Sequence, residues 1–319
     1  MTTYKGIRGL TIRTIDGDAS PLIAGDIWYN SAARKIKGSK LPAGTWTSGG
    51  NLNQARTTRM SGAPSNSAAI TAGGYKAGLS PATQGLAETY DGSSWTEVAD
   101  LNTARKFSTG FGTSTSAIVV GGDESPKANS EEWNGSSWTE VGDLNTGRDS
   151  GAGVGTEPAA LCIGGGTPSA VDNEESWNGS AWTNGTALNT AKKHTWGIGT
   201  QTAAITAGTP ATTESWNGSA WTEMAETNTD HRNGAGGGTQ TDAIVFAGDN
   251  APGGYTVNTE TWDASSWTEI GNLSTARAYN GGGGPSTSNA ITFGGSTPAQ
   301  TNTTEEFSKA VAAVTFTSS

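Results

Sequence analysis

EESWNGSAWT, residues 174–183, returns along the chain in four variants: ETYDGSSWT at 88–96, EEWNGSSWT at 131–139, ESWNGSAWT at 214–222 and ETWDASSWT at 260–268. Each copy carries an acid, an aromatic two residues later, a short polar turn, and a tryptophan five residues after the aromatic. The pairs are Tyr90/Trp95, Trp133/Trp138, Trp177/Trp182, Trp216/Trp221 and Trp262/Trp267. Asn-Gly and Asp-Gly supply the positive φ that tight hairpin turns need, so each copy predicts two antiparallel strands. A fragment with Trp46 precedes the series, and Glu305, Glu306 and Phe307 begin a copy that lacks its tryptophan.

Working outward, each hairpin follows an apolar run that ends in glycine: AIVVGG at 117–122, AIVFAG at 243–248, AITFGG at 290–295. Before each run lies a small-residue stretch such as GFGT at 110–113, GIGT at 197–200 or GGGT at 236–239. Four strands per unit are therefore expected. The tryptophans Trp46, Trp95, Trp138, Trp182, Trp221 and Trp267 recur at intervals of 49, 43, 44, 39 and 46 residues. That period suits a four-stranded propeller blade.

Composition sets outer limits. Hydrophobic residues are only 33% of the 319, and 47 are glycine. Without a period this balance would indicate disorder, but ten of the 12 tryptophans fall in the recurring unit, which implies a folded repeat. The net charge of −10 and pI near 4.7 argue against general phosphate-backbone binding. A single cysteine, Cys162, excludes an internal disulfide framework and reads as a buried thiol. No apolar run reaches the ~18 residues of a membrane span, and the start lacks an apolar secretory core. Residues 1–43 lie outside the repeat and read as a small β-module with a linker. Two or three strands there make a marginal core, consistent with docking to a partner.

With these features in phase, the chain resembles the kelch family of β-propellers over roughly residues 44–307. Double glycines follow the second strand (Gly73 and Gly74, Gly121 and Gly122, Gly164 and Gly165, Gly294 and Gly295), with departures at Gly208 and Gly248. A cation ends each link: Arg56, Arg105, Arg148, Lys192, Arg232 and Arg277. An acid recurs on each third strand: Glu88, Glu131, Glu175, Glu214, Glu260 and Glu305. A ring of anion-binding arginines is one reading. One cation and one anion per unit, always in phase, favours structural ion pairs. The expected fold is all-β: a six-bladed kelch-like β-propeller over residues 44–319, preceded by the N-terminal module. The last blade is completed by the Trp46 strand, with the tail 313–319 as the competing candidate.

The resemblance also sets expectations for chemistry. Galactose oxidase carries copper on a kelch-type propeller, using a Cys–Tyr crosslink with Tyr and His ligands. Here His194 and His231 are expected at equivalent starts of innermost strands, so no catalytic residue, metal or other cofactor is assigned and the chain is read as non-enzymatic. Binding is expected on the unequal loops, with Tyr75, Lys76, Asp123, Glu124, Lys127, Asp249 and Tyr255 as candidates. GDIWYN at 25–30, followed by a short hairpin and a Gly/Ser/Thr/Asn-rich β repeat, resembles virion proteins of tailed bacteriophages, particularly marine ones. That likeness implies a tail, neck or baseplate appendage located in the virion. Tyr4, Ile27, Trp28 and Tyr29 would dock to other virion proteins, and the loops would meet a host-surface glycan or protein. Nucleic acid and membrane insertion are not expected, and self-association in the particle is open. The alternatives are a purely structural decoration, a bacterial interaction module and a glycan-active enzyme.

Overall fold

The computed structural model describes residues 12–22, 26–40, 44–61, 65–123, 127–250, 254–309 and 312–315. Among them it contains strands, turns and bends but no helix. The chain forms two compact units: Thr45–Ser308, and Met1–Gly44 together with Lys309–Ser319.

The smaller unit is a four-stranded sheet ordered Arg13–Ile15, Ile27–Asn30, Lys35–Lys40, Ala312–Thr315. The first pair is parallel and the others antiparallel. The tail strand therefore completes the N-terminal sheet, a correction to the expected boundary at 44–319. Trp28 is 1% exposed and forms part of this unit's core, so it is not a docking residue. Ile27 and Ile36 are exposed, and Ile36 lies opposite the half-buried Tyr29. Tyr4 lies outside the described residues.

Among the described residues the larger unit holds six mainly antiparallel sheets of three to five strands, and a two-stranded ribbon of Asp249–Asn250 with Gly254–Tyr255. Sheet I is Ala69–Ala72, Ala87–Tyr90 and Trp95–Val98. Sheet II is Thr109–Gly112, Ala117–Val120, Ser130–Trp133 and Trp138–Val141, and sheet III is Ala152–Thr156, Ala159–Ile163, Glu174–Trp177 and Trp182–Asn184. Sheet IV is Lys193–Thr200, Ala203–Thr209, Thr213–Trp216 and Trp221–Met224. Sheet V is Ala235–Gly238, Ala243–Phe246, Thr259–Trp262 and Trp267–Glu269. Sheet VI is Gly281–Ser286, Asn289–Phe293, Thr304–Ser308 and, from far away in sequence, Thr45–Ser48. Phe307 pairs with Trp46, which decides between the two candidates for that edge.

One strand departs from the repeat. Met60–Ser61 runs parallel to Thr109–Gly112 and joins sheet II, leaving sheet I with three strands. Residues 58–61, Thr-Arg-Met-Ser, lack the small-residue pattern that lets the first strands of the other sheets crowd together. In sheet V, by contrast, a Cβ on Gly237 would sit 2.3 Å from the backbone nitrogen of Gly284 in sheet VI.

Burial explains the rest of the pattern. Both inward and outward positions of the apolar runs are enclosed, as in Ala117–Val120 and Ala243–Phe246, because neighbouring sheets pack on each face. The contact clusters each draw on two sheets. Ile70 and Ala87 meet Val119 and Trp133, while Ile118 and Val120 meet Cys162 and Trp177. The series continues from III to IV, IV to V and V to VI. It ends with Ile291 and Phe293 of sheet VI against Ala69, Tyr90 and Trp95 of sheet I. The recurring hairpin turns are shaped as expected: Asn178 Oδ1 accepts from the amides of Ser180 and Ala181, and Gly179 has φ 89. Ala264 takes the glycine's place at φ 72 in the one turn that lacks it.

Tryptophan N–H groups tie sheet to sheet. Trp95 Nε1 donates to Thr304 Oγ1 at 3.0 Å, Trp182 Nε1 to Ser130 Oγ at 3.1 Å, and Trp46 Nε1 to Thr259 Oγ1 at 3.0 Å. The accepting residue opens the third strand of the neighbouring sheet. In sheet III that position is Glu174, which is 3% exposed, and a Cβ on Gly185 would lie 1.8 Å from its Oε2. Burial pushes the Glu174 carboxyl up to about 7, against the opposing charge of Arg148. A folded pKa above the unfolded value favours the protonated form, so this group costs stability as pH rises from the ordinary carboxylate range through about 7. Glu174→Thr is expected to raise the melting temperature more at pH 8 than at pH 5. An equal change at both pH values contradicts the assignment.

Candidate functional site

The site is built on the links that lead into the first strand of each sheet. A buried ion pair fixes each link. Arg105 Nη2 lies 2.7 Å from Glu131 Oε1, Lys192 Nζ 2.7 Å from Glu214 Oε1, and Arg277 Nη2 2.8 Å from Glu305 Oε1. Arg56–Glu88 and Arg148–Glu175 form the same pair. All five pairs have side chains no more than 4% exposed. The carboxylate is fully engaged: Glu131 also accepts from the Asn102 amide and side chain and from the Thr103 amide. Asn102 Nδ2 then reaches the Trp138 carbonyl, so link, third strand and fourth strand are held as one.

The fifth unit corrects the expected assignment. The buried cation position opposite Glu260 is His231, with Nε2 3.2 Å from Oε1 and Nδ1 2.7 Å from the Ala247 carbonyl oxygen. Both ring nitrogens face acceptors, so satisfying both requires two N–H groups. Arg232, one residue on, instead pairs with Asp249. His194 and His231 are consequently not equivalent. His194 lies two residues beyond the Lys192 cation, whereas His231 is the cation position itself.

That second position beyond the cation forms the site. Its occupants are Thr58, Phe107, Ser150, His194, Asn233 and Tyr279. The last five have φ between 55 and 57, and in the first unit the left-handed residue is Arg59 at φ 74. Backbone bonds join successive links: Ser150 N to Phe107 O, Thr195 N to Ser150 O, Asn233 N to His194 O, Tyr279 N to Asn233 O, and Thr58 N to Tyr279 O. Side chains meet across this belt. The rings of Phe107 and Tyr279 are 6.2 Å apart, although sheet I separates sheets II and VI in the packing series. Arg59 reaches sheets IV and V, donating from Nη1 to Asn233 Oδ1 and from Nη2 to the Thr195 carbonyl at 3.5 Å. We call this convergence the mouth.

Charge at the mouth is shaped by burial. It pulls the Arg59 guanidinium down to about 10, with Tyr279, Asp149 and Asp249 opposing. Burial, then Arg59 and Lys193, lower His194 to about 4, leaving a neutral imidazole at neutral pH. Burial also raises Tyr279, with the Asp249 charge adding to it.

Several expected loop residues gather at the mouth's rim. Tyr75 bridges Thr57 and Thr83, and Lys106 Nζ stands 5.2 Å above its ring. Asp123 pairs with Lys127 at 2.6 Å and accepts from the Lys106 amide at 3.3 Å. Asp249 accepts from Asn233 Nδ2 at 2.7 Å as well as from Arg232. Lys76 is half-buried, its amide bonded to the Ala82 carbonyl. Tyr255 lines a separate cavity of about 380 Å³ with Ala276, Thr297 and Pro298. Glu124 lies outside the described residues. Arg59, Phe107, Asn233 and Tyr279 were not anticipated as site residues. For the last three the signal was present nonetheless, because they share a position inside the repeat where the residue changes in every unit; Arg59 lies one residue beyond that position in its own link.

The opposite ends of the first strands meet at a different surface. Gly112, Gly155, Gly199, Gly238 and Gly284 line a cavity of about 270 Å³ with few side chains that carry chemistry. Cys162 is buried in sheet III, and burial pushes its thiol up to about 11, which disfavours the thiolate. No protein-family model and no curated protein sequence matches this chain.

Proposed function

We propose that the six sheets are the blades of a closed six-bladed kelch-like β-propeller, with Thr45–Ser48 supplying the last outer strand. We propose further that the protein is a non-enzymatic structural component of a tailed-bacteriophage virion. Its N-terminal module would dock to other virion proteins, and the mouth and surrounding loops would bind a host-surface glycan or protein. The ring is supported by the pairing of Phe307 with Trp46 and by the packing of sheet VI on sheet I. The binding reading rests mainly on the mouth, where a constant frame presents a different side chain from each unit. Exposed Ile27 and Ile36 with half-buried Tyr29 offer the docking module an apolar surface.

Mass spectrometry of purified particles tests the virion reading, which requires the chain in stoichiometric amount; its absence rules the reading out. Binding of the purified chain to host cells tests the adsorption role separately, and a chain that is in particles but binds no cells is a decoration.

A further inference from the structure

The mouth contains a cation that no carboxylate contacts among the described residues. Five of the link cations each face a glutamate, and Arg232 and Lys127 are paired with Asp249 and Asp123. Arg59 differs. Its bonds go to the neutral oxygens of Asn233 and Thr195, and it forms no salt bridge among the described residues. Asp149 and Asp249 act on the Arg59 guanidinium through space, but no carboxylate contacts it, and its backbone is left-handed, which is unfavourable at a residue other than glycine. A partly buried guanidinium with no carboxylate in contact, on a strained backbone, suits a group kept for an external anion.

The surroundings narrow the ligand class. A guanidinium fork matches the planar geometry of a carboxylate. Phe107 and Tyr279 bring aromatic rings to the same place, and such rings pack on the C–H faces of sugars. Asn233, Thr195 and the neutral His194, whose enclosed Nδ1 has no hydrogen-bond partner, offer polar groups for hydroxyls. A protein partner would need apolar anchors, yet the one large hydrophobic that is well exposed among the described residues of this unit is Leu79. We infer that Arg59 receives the carboxylate of an acidic saccharide, of the uronic- or sialic-acid kind, bound in the mouth. The inference depends on reading this end as the ligand-binding end and assigns its ligand class.

The test is a glycan array in which uronate- and sialate-containing oligosaccharides each stand beside their methyl esters, probed with the full chain. At least one carboxylate glycan is expected to bind, with its ester weaker by about tenfold or more. Arg59→Gln is expected to reduce the acid to the level of its ester while melting as the wild type does. Asn233→Asp provides a second route, since it places a carboxylate on Arg59's own partner; it also removes the Nδ2 donor to Asp249, so it is read beside an unchanged melting temperature, and the same loss is expected. Equal binding of acid and ester, unchanged binding by Asn233→Asp, or no binding to any carboxylate glycan overturns the inference. Binding to neutral glycans alone overturns it and leaves the adsorption role standing; failure to bind host cells removes that role as well.

Discussion

Arg105→Ala is expected to destabilise the larger unit by about 3–5 kcal/mol, the usual result of breaking a buried pair from one side. The substitution leaves Glu131 with a charge but no cation, at 0% exposure. It also strips two carbonyls, Gly121 and Asn129, of the Arg105 Nη1 donor. At this size the loss corresponds to a fall in melting temperature of roughly 6–20 °C. Thermal denaturation of the variant is the check, and an unchanged melting temperature contradicts the structural role of the pair. Replacing both partners by apolar residues of similar volume is expected to cost much less, because no buried charge remains.

Trp177→Ala is expected to cost a comparable ~3–5 kcal/mol for a different reason. Trp177 is 0% exposed, stacks 5.3 Å from Trp182, and packs with Ile118 and Val120 of sheet II and Cys162 of sheet III. Truncation leaves a void between two sheets that rigid neighbours cannot fill. Its indole nitrogen has no hydrogen-bond partner, so the loss is one of packing alone. A denaturant midpoint shift equivalent to less than ~1 kcal/mol would mean that the tryptophans face a ligand instead of cementing sheets.

Much of the frame was legible because it repeats. The EESWNGSAWT unit located the third and fourth strands of the sheets, and the in-phase acids and cations located the buried pairs. The error at Arg232 shows where such reading slips. Each link cation follows an asparagine or serine by three residues, as in Asn102 and Arg105 or Ser274 and Arg277; counted from Asn228, the position is His231. Arg232, one residue later, has the charge of the other link cations but not their register. Sheet I departs from the expected four strands for the converse reason: residues 58–61 lack the small-residue pattern, and Met60–Ser61 pairs with sheet II. The tail strand Ala312–Thr315 could not be told from an outer blade strand, since both are short, β-prone edges and only the pairing partner separates them. Trp28 was expected to dock, yet it is buried; aromatic residues serve docking and packing alike. The mouth was the least legible feature, since Arg59, Phe107, Asn233 and Tyr279 are far apart in sequence and share no chemistry.

The claim that most of this depends on is that Thr45–Ser48 and Thr304–Ser308 share one sheet. Thr45 and Ser308 are directly opposed and both exposed, within the usual reach of a disulfide. The direct measurement is disulfide formation in Thr45→Cys/Ser308→Cys under mild oxidation, beside Ser176→Cys/Thr183→Cys as a cross-strand control within sheet III. Cys162 is buried and does not compete. The account predicts that both pairs close in the folded protein with similar yield. A control that closes while the Thr45/Ser308 pair stays reduced would contradict it.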